Sequence, residues 1–246
     1  MGFYITEASG IDEKDRYRRE TENGTMIVRD TTMHGERVRL LLVNGVQESA
    51  THLDPERKYE PLFRYLDSFH KILQSHPYPE KVLLLGGAGF AYPKLFFSSG
   101  QMGELTVVEM DPRMIRLARR FFFLNDLEKE YDLARSGRLK IVEKEALSFL
   151  KGSDEKWDVI LNDAYIGNVT DAGLLSPAGI RTMKDHLAPG GICVTNLITP
   201  LSGEGAYIGI VARRLYEATF PEASLTPCDT TYPTTMRQNC MLVGRL

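Results

Sequence analysis

Residues 81–97, KVLLLGGAGFAYPKLFF, join an apolar run to a cluster of glycines and then to a second apolar segment. An apolar strand that ends in closely spaced glycines is typical of nucleotide-binding folds, because residues without a side chain let the backbone approach a ligand. The cluster Gly86-Gly87-Ala88-Gly89 does not complete the G-x-G-x-x-G pattern. The alternative interpretation is a tight strand-to-helix turn that binds no ligand.

Downstream of this segment, apolar strand patterns alternate with helical patterns. The further predicted strands are LTVVEM (105–110), RLKIVE (138–143), WDVILND (157–163), ICVTNLI (192–198), SLTPC (224–228) and QNCMLVG (238–244). Such alternation predicts an α/β fold in which a mostly parallel sheet has helices on both faces. Ligands of these sheets bind beyond the carboxyl ends of the strands. This places the glycine cluster, Glu109, Glu145 and Asp163 along one rim.

The first part of the chain has a different pattern. TMIVRDTT (25–32), RVRLLLV (37–43) and VQESAT (46–51) predict a small antiparallel β-domain, with Asn44-Gly45 as one of its turns. A helix is predicted from Asp54 and Pro55 through residue 74. We therefore expect an N-terminal domain over residues 1–78 and a Rossmann-like domain over residues 79–246.

Composition excludes several classes of function. The 246 residues are 43% hydrophobic and 26% charged, and their net charge of −3 argues against a nucleic-acid partner. No apolar stretch is long enough to span a bilayer, and the N-terminus lacks the apolar core of a signal peptide, so we expect a cytoplasmic protein without a membrane partner. Three scattered cysteines and five scattered histidines show no metal-ligand spacing, which predicts no metal site.

Acidic residues at the predicted strand ends suggest the chemistry of the ligand. Glu109 ends the strand after the glycine cluster, about 20 residues on, where a carboxylate typically accepts both ribose hydroxyls. Glu145 is placed to accept from an adenine amino group. Asp163 follows the fourth strand and is a candidate acid or base, with a loop cap as the alternative.

At these positions the chain resembles the spermidine synthase family, the aminopropyltransferases built on the methyltransferase-type Rossmann fold. The motifs G-G-G-D-G-G, E-I-D, G-D-G or G-D-A, D-S-S-D and P-T-Y-P-S-G are similar, in the same order, to segments 86–91, 109–111, 144–146, 163–166 and 230–235. The family's D-G-x-x-Q and Y-H-E resemble Asn44-Gly45 with its following residues, and Tyr59-Glu60. The resemblance extends from about residue 38 to the C-terminus.

The resemblance implies an S-adenosyl sulfonium co-substrate, either S-adenosylmethionine or its decarboxylated form, together with an amine-type acceptor, no metal and a homodimer. The implied catalytic residues are Asp163, Tyr232 and Tyr59. The implied residues for the adenosyl ligand are Gly86, Gly87, Ala88, Gly89, Glu109, Met110, Asp111, Glu145, Ala146 and Asp163. The implied residues for the acceptor are Gln47, Glu60, Tyr165 and Tyr232, where Glu60 replaces the family's His or Gln.

Two departures from the family pattern concern carboxylates. The family's Asp in G-G-G-D-G-G, which binds the amine of the decarboxylated donor, is Gly89, and the second Asp of D-S-S-D is Ile166. Either Gln47 or Glu48 occupies the family's strand-Gln position. Three hypotheses follow: an aminopropyltransferase-like enzyme, a methyltransferase that uses intact S-adenosylmethionine, and a non-catalytic protein that binds an adenosyl ligand.

Overall fold

The computed structural model describes residues 8–22, 24–167 and 169–246. The N-terminal sheet is antiparallel, with strand order β1-β2-β3-β4. Its strands are β1 (Ala8–Thr21), β2 (Gly24–Met33), β3 (Glu36–Val43) and β4 (Val46–His52). Strand β1 was not predicted, because it is an edge strand rich in charge that lacks an alternating apolar pattern. Cross-strand ion pairs such as Arg29 to Asp15, at 2.6 Å, join it to β2.

The turn between β3 and β4 is confirmed, with positive φ angles of 52° at Asn44 and 78° at Gly45. Shortly after this turn the β3–β4 ladder is irregular: Leu42 pairs with Gln47, whereas Leu41 pairs with Ser49. Glu48 is therefore the extra residue of a β-bulge, a feature that changes the direction of neighbouring side chains.

Helix α1 (Arg64–Gln74) starts nine residues after Pro55, the first helical residue that the sequence predicts. Asp54 caps only a local turn, in which its carboxylate accepts a hydrogen bond of 3.0 Å from the backbone N–H of Glu56. Pro61 explains the late start, because it lacks an N–H and disfavours helical geometry at the residue before it. Inside α1, Leu66, Phe69 and Leu73 are buried.

The second sheet has seven strands in the order β12-β13-β11-β8-β5-β6-β7. Five of them pair in parallel, and at one end β13 pairs antiparallel with both β11 and β12. Their bounds are β5 (Lys81–Leu85), β6 (Glu104–Glu109), β7 (Leu139–Glu143), β8 (Trp157–Asn162), β11 (Leu187–Thr199), β12 (Glu222–Pro227) and β13 (Gln238–Arg245). A two-stranded ribbon, β9 (Tyr165–Ile166) and β10 (Val169–Thr170), follows β8. The predicted mostly parallel α/β fold is confirmed.

Helices cover both faces of this sheet. They are α2 (Ala91–Ser98), α3 (Pro112–Phe121), α4 (Leu124–Glu130), α5 (Leu133–Ser136), α6 (Ala146–Lys151), α7 (Pro177–Asp185) and α8 (Tyr207–Glu217). Along β5, Val82 and Leu84 pack against α1–α5, whereas Leu83 and Leu85 pack against α6–α8. Helix α1, which belongs to the predicted N-terminal domain, packs in the same core cluster as β5 of the predicted Rossmann-like domain. The domain boundary between residues 78 and 79 therefore stays a prediction. No helix in the described ranges has the length and apolar character needed to cross a membrane.

Candidate functional site

A cavity of about 1050 Å³ lies at the carboxyl ends of the parallel strands. One wall is formed by the glycine turn after β5 and by the residues that follow β6, β7 and β8. The opposite wall comes from the bulged strand β4 and from the start of α1. The site is thus assembled from both sheets, at the position where ligands of parallel α/β sheets bind.

The glycine turn brings two strand ends into backbone contact. Gly86 has a φ of +91°, and a Cβ atom there would lie 2.5 Å from the carbonyl oxygen of Asp163. Ala88 also has a positive φ, of 42°, although it carries a side chain. Gly86, Gly87 and Ala88 all line the cavity. A left-handed backbone at a non-glycine residue costs free energy, and such geometry is concentrated at functional sites.

Gly89 faces away from the cavity, toward the N-terminal sheet. A Cβ atom at this position would lie 2.4 Å from Oγ and 2.6 Å from Cβ of Ser49 on β4. Gly89 is absent from the cavity lining. The close approach of β4 therefore leaves no room for a side chain at residue 89 unless Ser49 moves.

Glu109 fixes the glycine turn to the end of β6. Its Oε2 accepts hydrogen bonds of 2.9 Å from the N–H groups of Gly87 and Ala88, and its Oε1 accepts one of 2.8 Å from the N–H of Asp111. A carboxylate has about four acceptor directions, so Glu109 keeps capacity for a ligand hydroxyl. Asp111 caps α3 through the N–H of Arg113, and Met110 lines the cavity with 53% of its surface exposed.

Glu145 and Ala146 lie where β7 passes into α6, and both line the cavity. Glu145 caps α6 by accepting hydrogen bonds of 2.7 Å from the N–H groups of Leu147 and Ser148. Burial acts to raise the pKa of this carboxyl, but the hydrogen bonds from Ser148 and Leu147 outweigh it and hold the pKa below its usual range. Glu145 is therefore an ionised acceptor at the edge of the cavity.

Asp163 is held from two sides. Tyr65 of α1 donates a hydrogen bond of 2.9 Å to Oδ2, and Asn196 of β11 donates one of 3.0 Å to Oδ1. Burial raises the pKa of Asp163 to about 6, against the opposing effect of the hydrogen bonds from Asn196 and Tyr65. A carboxyl that ionises near neutral pH, in a fixed orientation on a cavity wall, is suited to holding or moving a proton.

Sequence analysis missed Tyr65 and Asn196. Tyr65 lies in the first turn of a helix that begins later than the sequence predicts, and Asn196 lies inside the strand that the apolar run ICVTNLI predicts. The only available signal for Asn196 was a polar residue in an otherwise apolar run.

Tyr165 and Tyr232 both line the cavity. The hydroxyl of Tyr165 donates a hydrogen bond of 2.9 Å to the backbone carbonyl of Asn196. Tyr232 is 47% exposed and lies at the rim. Tyr165 is thus fixed by a hydrogen bond to the backbone, whereas Tyr232 is open to solvent.

Tyr59 and Glu60 are not brought to the cavity lining. Tyr59 packs against Tyr131, with ring centroids 6.2 Å apart, and Nζ of Lys58 lies 4.7 Å from its ring centroid. Glu60 forms an ion pair of 2.7 Å with Arg57 at the surface. The segment that carries Tyr59 and Glu60 precedes α1 and faces α4. The tyrosine that contacts Asp163 is instead Tyr65 of α1.

On the N-terminal wall, the bulge in β4 leaves both Gln47 and Glu48 as candidates for the family's strand-Gln position. Gln47 and Glu48 both line the cavity, so neither residue displaces the other. Burial raises the pKa of Glu48 to about 7, and the negative charges of Asp163 and Glu109 add to the shift. The side chain of Ile166 lies outside the described residues.

The lining as a whole is acidic. Seven carboxylates line the cavity, against two basic side chains, Arg64 and Lys144, and one histidine. Arg64 is also neutralised by an ion pair of 2.6 Å with Asp229. Such a cavity favours cationic ligands. Within the described ranges, no group of three or more His, Cys, Asp and Glu side chains is arranged to hold a metal ion.

Known proteins with similar sequences are transferases of one family. The spermine/spermidine synthase domain matches residues 67–238. Polyamine aminopropyltransferase 2 of Aquifex aeolicus is 28% identical over 167 residues, which cover 67% of this chain and 31% of that protein. The matched region spans about a third to a half of the length of the curated relatives.

Two solved structures show the same fold. The crystal structure of a spermidine synthase in complex with the transition-state analogue AdoDATO has a TM-score of 0.71 and 17% identity, covering 94% of this chain and 73% of that one. Human methyltransferase-like protein 13 in complex with SAH has a TM-score of 0.60 and 16% identity, covering 75% and 82%. At these identities the likeness is one of fold. The domain match extends over more than half of the residues, and the chain therefore belongs to the spermine/spermidine synthase family.

Proposed function

We propose that this chain is a transferase that moves an aminopropyl group from decarboxylated S-adenosylmethionine to an amine acceptor. The observation that carries the proposal is Asp163, a carboxylate with a pKa of about 6, held by Tyr65 and Asn196 on the wall of an acidic cavity. Membership of the spermine/spermidine synthase family supports this class of reaction.

Charge favours the decarboxylated donor over the intact one. The decarboxylated compound carries a sulfonium and an ammonium, and both are stabilised by a lining with an excess of carboxylates. Intact S-adenosylmethionine would bring its own carboxylate toward Asp163 and Glu48, and like charges in a partly buried site repel. The same argument disfavours methyl transfer from the intact donor.

The adenosyl part of the donor has matching groups along the wall. Glu109 retains acceptor capacity next to the glycine turn, where it can bind the ribose hydroxyls. Glu145 offers an ionised acceptor to the adenine amino group, and Met110, exposed between them, offers an apolar surface to the base.

The transfer step requires an acceptor nitrogen with a free electron pair. An alkyl ammonium has a pKa of about 10 and is protonated at neutral pH. Asp163 orients this ammonium, accepts its proton and passes the proton to solvent at the cavity mouth. The nitrogen electron pair then forms a bond to the methylene carbon next to sulfur. The carbon–sulfur bond breaks with its electrons on sulfur, and the products are an alkylated ammonium, which now carries the positive charge, and a neutral thioether.

The acceptor binds on the side of Asp163 that faces Tyr165 and Tyr232. Tyr165 is anchored to the backbone of Asn196, whereas Tyr232 is half exposed at the rim. An aromatic ring and a hydroxyl suit an alkylamine, because the methylene chain packs on the ring and the nitrogen finds an acceptor.

The test combines binding with turnover. Calorimetric titration with decarboxylated S-adenosylmethionine, S-adenosylmethionine and methylthioadenosine identifies the donor. Turnover with linear diamines is then compared between the unsubstituted protein and Asp163→Asn, for which we expect kcat to fall by about 10²- to 10⁴-fold. Glu217→Gln, on the exposed face of α8, is the matched control. Preference for the intact donor would indicate a methyltransferase, and binding without turnover would indicate a non-catalytic adenosyl-binding protein.

The predicted homodimer and the cytoplasmic location belong to the proposal as well. They are supported by resemblance to the family and by the sequence composition. Sedimentation of the purified protein would test the dimer.

A further inference from the structure

Glu48 differs from the other carboxylates of the cavity. Each of the other six accepts at least one hydrogen bond from a backbone or side-chain donor. Glu48 has neither a hydrogen bond nor an ion pair with any residue in the described ranges. A half-buried carboxylate without a partner is destabilising, so this side chain is not explained by the stability of the fold.

The bulge gives Glu48 its direction. In a regular strand, Gln47 and Glu48 would point to opposite faces of the sheet. The extra residue in β4 instead lets both side chains line the cavity, although Ser49 pairs normally with Leu41. Bulges that redirect a side chain are frequent next to active sites.

Gln47 adds a second free acceptor at the same place. Its amide oxygen is buried and has no hydrogen-bond partner among the described residues. Two neighbouring oxygens that accept hydrogen bonds, one of them charged, require a ligand that donates several. A primary ammonium has three N–H donors and a positive charge, and thus satisfies both requirements.

Asp163 lines the same cavity as this pair of acceptors. The negative charge of Asp163 contributes to the raised pKa of Glu48. The repulsion between the two carboxylates is relieved either when one of them is protonated or when a cation binds between them.

We propose that Glu48, with Gln47 beside it, binds the primary ammonium group of the ligand in this cavity and thereby selects amine ligands over carboxylate-bearing ones. This inference rests on the proposed function, since it assigns a specificity-determining residue to that reaction. The ammonium belongs either to the aminopropyl arm of the donor or to the acceptor amine.

The contact between Ser49 and Gly89 explains why the charge comes from β4. A Cβ atom at residue 89 would lie 2.4 Å from Oγ of Ser49, so residue 89 has no room for a carboxylate side chain. The residue just before Ser49 enters the cavity instead. Strand β4 therefore crowds out a carboxylate at residue 89 and provides the carboxylate of Glu48 in its place.

The experiment compares the unsubstituted protein with Glu48→Gln, which keeps the shape and removes the charge. Glu217→Gln is the control for an acid-to-amide change at an exposed position. Calorimetry measures the affinity for decarboxylated S-adenosylmethionine and for methylthioadenosine, which has the same adenosyl thioether body without the ammonium. Steady-state kinetics measures KM for 1,4-diaminobutane.

If the ammonium is that of the donor, Glu48→Gln weakens binding of the decarboxylated donor by about 10- to 100-fold and leaves methylthioadenosine unchanged. If it is that of the acceptor, donor affinity is unchanged and KM for the diamine rises by a similar factor. Equal weakening of both adenosyl compounds, or no change in any measurement, would overturn the inference. Failure of the unsubstituted protein to bind any adenosyl compound would overturn the proposed function as well.

Discussion

Tyr65 donates a hydrogen bond of 2.9 Å to Asp163 across 98 residues of sequence. The tyrosine comes from α1, which precedes the parallel sheet, and the aspartate follows β8 in the middle of that sheet. Because the hydroxyl donates, it stabilises the ionised form of the carboxyl. The orientation and the protonation of Asp163 therefore depend on a residue outside the parallel sheet.

Replacing Tyr65 with Phe should raise the pKa of Asp163 above its value of about 6, since the substitution removes a hydrogen bond that lowers this pKa. We expect the acidic limb of the pH–kcat profile to move upward by about 0.5–1 unit, so that activity falls more at pH 6 than at pH 8. The pH profile is the measurement, and Tyr131→Phe, a ring that packs against Tyr59 and Phe97, is the control. A uniform loss of activity at all pH values would contradict the assigned role of the hydrogen bond.

Gly89→Ala should destabilise the protein by about 1–3 kcal/mol, because the new methyl group would overlap Ser49. The φ of Gly89 is not in the left-handed region, so the cost comes from crowding alone. Denaturant unfolding measures it. The double variant Ser49→Gly with Gly89→Ala should recover part of the loss relative to the sum of the single variants, and strict additivity would show that the contact is not the cause.

Lys94 on α2 is 1% exposed, and its ammonium donates a hydrogen bond of 2.7 Å to Oγ1 of Thr51. Burial lowers its pKa to about 7. The charged form is thus disfavoured in the folded state. The resulting penalty is fully present below pH 7 and shrinks as the pH rises toward the ordinary value of 10.5.

Lys94→Met should accordingly increase the free energy of unfolding by about 1–3 kcal/mol at pH 6, with a gain that diminishes toward pH 10. Chemical denaturation at several pH values measures this gain, and His52, which faces Lys94, titrates in both proteins. A gain that does not change with pH would mean that packing, rather than charge, is the source.

Glu48 has the opposite dependence on pH. Its folded-state pKa of about 7 exceeds the ordinary 4.5, so the folded protein binds more protons than the unfolded chain between these values. Stability linked to Glu48 is complete below pH 4.5 and is lost as the pH rises through about 7.

Glu48→Gln should therefore stabilise the ligand-free protein by about 1–3 kcal/mol at pH 8 and by much less at pH 5. Thermal melts at the two pH values measure the difference. Asp163 and Glu109, the charged groups that face Glu48, remain in both proteins. Equal melting temperatures of variant and unsubstituted protein at pH 8 would show that the carboxylate carries no penalty.

Most of the parallel sheet was predictable from the sequence. Segments such as KVLLL and WDVILN are apolar throughout, because both of their faces are covered by helices, and that pattern has few other interpretations. The acidic residues at the strand ends, Glu109, Glu145 and Asp163, were predictable too. Once the end of a strand is known, the residues at that end lie on the ligand-binding edge of the sheet.

The misses have a common physical origin in contacts between distant elements. Strand β1 is polar and depends on ion pairs with β2, which no local pattern reveals. Tyr65 contacts Asp163 from the first turn of α1, and the position of this turn depends on where the helix begins after Pro61. The bulge at Glu48 arises from the pairing of two strands, and strand propensity alone cannot place it.

The backbone contact at Gly86 has a mechanical consequence. The peptide of Gly86 lies directly against the carbonyl of Asp163, with no side chain between them to rotate or compress. A hydrogen bond of 2.8 Å from the N–H of Asp163 to the carbonyl of Leu85 ties the same two chain segments together. We therefore expect that a ligand which displaces the glycine turn also displaces the backbone of Asp163, because the two segments are in direct contact and hydrogen-bonded to each other.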